Sequence, residues 1–116
     1  MADNIRLHVS GTPDQARVLI EQVLQADGFR FTWEQPGKAL IEKGSRGKAL
    51  LLGVFALHYR YNLMMYPQEG SVVIDIGLGG TGLHGGAAGA IKIRSKLDDI
   101  QHRLSAAFHS AGALIT

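Results

Sequence analysis

The chain predicts an α+β fold. Two helices would cover one face of an antiparallel sheet of four to five strands, giving a two-layer sandwich in the order β-α-β-β-β-β-α. Three observations carry this expectation. Residues 13–27 and 90–111 place apolar side chains at three- and four-residue spacing. Residues 4–10, 29–34, 58–66 and 71–76 alternate apolar with polar. Short turn signals separate the later runs, which makes consecutive strands antiparallel neighbours. At 116 residues the chain reads as one domain, 1–116, long enough to bury a core without a disulfide or metal staple.

The first run, Asn4 to Ser10, sets Ile5, Leu7 and Val9 against Arg6, His8 and Ser10 and reads as a half-buried strand. A helix start follows. Thr12 is a suitable N-cap, Pro13 fits the first helical position, and Gln15 completes a Thr-x-x-Gln capping box. Ala16, Leu19, Ile20, Val23 and Leu24 form the apolar stripe, and Gly28 is the expected stop, with Phe29 folding back on the last turn.

Phe29, Phe31 and Trp33 alternate with Arg30, Thr32 and Glu34 in a second strand. Gln35-Pro36-Gly37-Lys38 predicts a type II turn, because Pro suits its second position and Gly the left-handed third. Ala39 to Lys43 returns as a third strand, and Gly44 to Gly47 reads as a turn. Lys48 to Leu57 is apolar without a clear period. Gly53 in its middle disfavours a helix, so 48–66 is expected as one bent strand or two short ones. Within it Tyr59, Tyr61, Leu63 and Met65 share one face, and His58, Arg60, Asn62 and Met64 the other. After a break at 67–70, Val72, Ile74 and Ile76 alternate with Val73 and Asp75. The last helix carries the stripe Ile93, Leu97, Ile100, Leu104, Phe108 and Ala111, with Gly112 ending it.

Composition narrows the functional classes. The chain has no cysteine, which removes thiolate metal sites and cysteine nucleophiles and suits a reducing, cytoplasmic location. Its start shows no charged region followed by an apolar one, and its longest apolar run, 49–57, is far short of the roughly 20 residues of a membrane span. A net charge of +2 does not by itself call for a polyanion.

Several constellations could carry chemistry. The Gly77 to Gly82 segment, GLGGTG, spells the glycine spacing of a dinucleotide loop between a strand and a helix. Gly79, Gly80 and Gly82, with Lys92 and Arg94 at the helix start, make a candidate anion contact. Against it, further residues separate the motif from the helix, and no parallel strand follows with an acid to bind a ribose. A structural loop is the plainer reading, and no cofactor is expected.

The open sheet face would carry His8, His58, Arg60 and Asp75. A His–Asp pair there could exchange protons and an arginine could hold an anion, although alternating polar residues are what any solvated face shows. No set of histidines has metal-ligand spacing, and no serine sits in a nucleophile elbow, so neither a metal site nor a catalytic residue is assigned. Lys38, Lys43, Arg46, Lys48 and Arg60 face one acid, Glu42, over residues 38–60. Trp33, Tyr59 and Tyr61 fall on the core side of their strands, so the aromatic stacking that single-stranded nucleic acid needs is not on offer.

The sequence thus points to a non-enzymatic binding module. Its partner would be a small apolar ligand, another protein or a second copy, because 50–57 and 83–91 supply more apolar residues than one sheet face requires. The alternatives are a small enzyme using the His/Asp pair and an anion- or nucleic-acid-binding hairpin. No set of motifs identifies a family.

Overall fold

The computed structural model describes residues 3–44, 59–78 and 86–116, with 86–90 described for the backbone alone. Its elements are β1 (Asn4–Ser10), α1 (Pro13–Ala26), β2 (Arg30–Gln35), β3 (Lys38–Lys43), β4 (Tyr59–Gln68), β5 (Ser71–Leu78) and α2 (Gly86–Ser110). The five strands form one antiparallel sheet in the order β1-β5-β4-β3-β2. Both helices lie on one face of it, and the expected α+β architecture is present.

The hairpin-linked strands lie side by side in a meander, and β1 pairs with the last strand. Arg6 stands opposite Asp75, and the apolar partners Ile5–Ile76, Leu7–Ile74 and Val9–Val72 follow in register. A shift of one residue would turn all of these to solvent, so the alternation fixes the register. β1 is an edge strand whose outer side is taken by the end of the chain. Ser10 donates to the Ala113 carbonyl at 2.7 Å and Ile115 to the His8 carbonyl at 2.8 Å.

The α1 boundaries follow from local chemistry. The Thr12 hydroxyl accepts from the Gln15 N–H, and the Gln15 side chain accepts from the Thr12 N–H. At the other end Gly28 adopts φ 92° and donates to the Gln25 carbonyl, while Phe29 donates to Leu24. That pair of bonds is a Schellman motif, and its left-handed residue is costly for anything but glycine. The helix buries Ala16, Ile20 and Leu24. α2 buries Ile93, Leu97, Ile100, Leu104 and Phe108, whereas Ala111, expected on the same stripe, follows the helix end at Ser110 and is exposed. Between them and the sheet lie Tyr61, Leu63, Ile41, Ile74 and Ile76, all essentially without solvent contact.

Three local expectations differ. Gly37 does not take positive φ, so the β2–β3 turn is not type II. Pro36 fits the second position of a type I turn equally well, and the strand pairing beside the turn carries a register shift between Trp33 and Gln35. Gly37 serves another end: a Cβ there would lie 3.0 Å from the Met65 carbonyl oxygen, so glycine lets β4 come close. β4 also runs through Pro67 to Gln68 rather than breaking at 67. α2 begins at Gly86, inside the glycine-rich stretch, so only residues 83–85 separate the GLGGTG segment from the helix. The extended reading of 48–58 lies outside the described residues.

Candidate functional site

The sheet places His8 and Asp75 on the open face of adjacent strands, as the alternation requires, but gives them different partners. Asp75 accepts from Arg6 at 2.8 Å and from Asn4 at 3.1 Å. The carboxylate raises the Arg6 guanidinium above its ordinary value through that hydrogen bond and its charge. His8 lies across from Val73 in the register and shares a 2.9 Å hydrogen bond between its Nε2 and the Ser71 hydroxyl. Ser71 is buried, so the pair joins β1 to β5 without offering a reachable nucleophile. Arg60 is on the same face near the far end of β4, opposite Glu42 of β3.

Lys92 and Arg94 are on α2, in the helix layer, and are not brought to that face. Lys92 is exposed, and Arg94 donates to Asp3 at 2.8 Å. His58, Gly79, Gly80 and Gly82 lie outside the described residues, as do Arg46 and Lys48. Of the remaining hairpin bases, Lys38 pairs with Glu34 at 3.5 Å and Lys43 with Asp27 at 3.4 Å. Among the described residues no group of three His, Asp or Glu could hold a metal ion, and no helix is long and apolar enough to cross a membrane.

Two arrangements were not legible from spacing. The first is a charge network at the C-terminal end of α1. Asp27, the C-cap, forms ion pairs with Lys96 of α2 and Lys43 of β3. Lys96 also meets Asp99 at 3.0 Å, and Asp99 accepts from Arg103 at 2.8 Å. The side chains of Asp27 and Lys96 keep only 14% and 16% of their exposure. Burial alone would raise the Asp27 carboxyl, but the hydrogen bond and charge of Lys96, with Lys43 behind, hold it below the ordinary aspartate range. Burial likewise pulls the Lys96 ammonium down, and Asp27 and Asp99 more than reverse it. Both ammonium groups also lie 5.7 Å from the Phe29 ring centre. The network ties three elements together.

The second is a cleft of about 550 Å³ where the start of α1 faces the end of α2. Ala16 and Phe108 form its buried floor, Val18 and Leu19 one wall, and Ala111 and Ala113 the other. Gln15, Gln22 and Ser10 edge it. Gln15 is already spent in the helix cap, and the Ser10 hydroxyl donates to the Ala113 carbonyl at 3.3 Å. Gln22 is exposed at the rim. No lining residue carries a titratable side chain. One sequence signal pointed here. Val18 lies off the α1 stripe and remains 56% exposed, an apolar residue the core does not use. The opposite wall comes from a segment about ninety residues away in the chain, which no local period connects to α1. No protein-family model and no curated protein sequence matches this chain.

Proposed function

We propose that the chain is a non-enzymatic binding module whose ligand is a small, uncharged, mainly apolar molecule seated in the cleft between α1 and the end of α2. The cleft carries this reading. Its volume, about 550 Å³, falls in the usual range for small-molecule sites, about 300–1,000 Å³. Its lining supplies apolar surface and amide groups but nothing to transfer a proton or balance a charge. Val18 and Ala111 give an exposed apolar rim that a ligand would cover. The cysteine-free composition suits the same module in the cytoplasm.

The test is a titration with a neutral naphthalene-sized probe, followed by amide chemical shifts. The expected perturbations cluster at Ala16, Leu19, Phe108 and Ala113. Perturbations confined to the open sheet face, or none at millimolar probe, would overturn the reading.

A further inference from the structure

The outermost strand of the sheet among the described residues, β2, has a sequence that complements itself when reversed. Which of its backbone groups face outward follows from the ladder. Met65 donates to the Gly37 carbonyl at 2.8 Å, so the odd-numbered residues of β3 turn their amides and carbonyls to β4. The even-numbered ones, Lys38, Leu40 and Glu42, turn to β2. Their partners in register, Thr32 opposite Leu40 and Arg30 opposite Glu42, are thereby spent. The N–H and C=O groups of Phe31 and Trp33 are left facing outward, and among the described residues no strand pairs with them.

A second copy can add to this edge only where outward-facing residues meet. A two-fold axis at Phe31 would need the Phe29 N–H, which already donates to Leu24 at 2.9 Å. An axis at Trp33 runs into the register shift between Trp33 and Gln35. An axis at Thr32 meets neither obstacle. It sets Phe31 opposite Trp33 of the second copy and Arg30 opposite its Glu34, and the reverse by symmetry. Like charges nowhere oppose each other. The aromatic pairs would extend a stack that exists within each chain, since the Phe31 and Trp33 rings lie 5.9 Å apart at 13°.

The helix above the edge has the same property. The Arg17 guanidinium sits 4.4 Å over the Trp33 ring and pairs with Glu21 at 2.7 Å. A reversed copy brings a second such pair in the opposite order.

We propose that this chain forms a homodimer by antiparallel β2–β2 pairing about Thr32, which joins the two described sheets into one with α1 and α2 of both copies on the same face. The contact is at the small end of specific interfaces, under about 1,200 Å², and its dimer exchanges with monomer.

Sedimentation equilibrium over a concentration series tests it, with a charge exchange that leaves the core untouched. Glu34→Arg opposes two arginines at both ends of the pairing and weakens association about tenfold or more. Adding Arg30→Glu to Glu34→Arg restores it toward the starting value. Amide exchange at Phe31 and Trp33 slows as the dimer fills. A monomer at millimolar concentration, a dimer indifferent to Glu34→Arg, a double variant as weak as the single one, or unprotected Phe31 and Trp33 amides in a populated dimer would each overturn the proposal.

Discussion

The Tyr61 hydroxyl, in the middle of the sheet, donates a 2.7 Å hydrogen bond to the backbone carbonyl of Ile93 in the helix above it. Tyr61 has no solvent contact, and its ring lies 6.1 Å from that of Phe29. A phenol so enclosed keeps its proton, because burial penalises the phenolate. Burial, with a smaller push from Tyr59, raises its titration far above the ordinary tyrosine range.

Replacing Tyr61 with Phe therefore costs about 1–2 kcal/mol, through the lost bond and the carbonyl left behind. Urea unfolding at neutral pH measures it. The pH dependence is a separate expectation. The folded protein holds the proton more tightly than the unfolded chain, so the stabilisation is intact below about pH 10 and declines as pH rises above it. Tyr61→Phe should flatten that alkaline decline; an unchanged slope would assign it to other groups.

The Asp27–Lys96 pair makes the opposite prediction. Asp27 titrates lower in the fold than in the unfolded chain, so its contribution is present above about pH 4 and is lost as pH falls through the folded value. Asp27→Asn should remove part of the acid sensitivity. A double-mutant cycle with Lys96→Met should give a coupling of about 1–3 kcal/mol, since both side chains are mostly shielded from solvent. Because the pair is sheltered, the coupling should survive 1 M salt, unlike that of the exposed Arg6–Asp75 pair.

The α1 ends can be tested independently. Thr12→Ala removes one half of the capping box and should cost about 1 kcal/mol. Gly28→Ala forces a side chain into φ 92° and should cost about 1 kcal/mol or more, although an alanine in most surface positions is harmless. Equal stability of Gly28→Ala and the parent protein would show that the Schellman geometry is not maintained in solution.

These sites also mark where the sequence is readable. The α1 caps depend on residues within four positions of one another, so Thr12, Gln15 and Gly28 announce the helix ends directly. The faces of β1, β4 and β5 follow from alternation, and Ile5, Leu63 and Ile74 are buried as their phase requires. Strand order does not follow, because the pairing of Arg6 with Asp75 joins positions with no local relation. The Asp27 network is hidden for the same reason: its members come from α1, β3 and α2. Gly37 misled because the Pro-Gly pair suits two turn types, and the close approach of the Met65 carbonyl, which also favours glycine there, joins positions with no local relation. The α2 start at Gly86 was masked by glycines, whose low helix propensity is offset once the rest of the helix is packed. The His8–Asp75 grouping was legible as a shared face, but the partners each would choose, Ser71 and Arg6, were not.

The binding account turns on the cleft, and Ala111 gives direct access to it. Ala111 is exposed, lines the cleft and follows the end of α2, so a larger side chain there fills the cleft without entering the core. The decisive measurement is the affinity of a neutral apolar probe for Ala111→Phe and for the parent protein, with thermal melts run alongside. The account predicts a loss of affinity of about tenfold or more at an unchanged melting temperature. Equal affinity in the two proteins would contradict it.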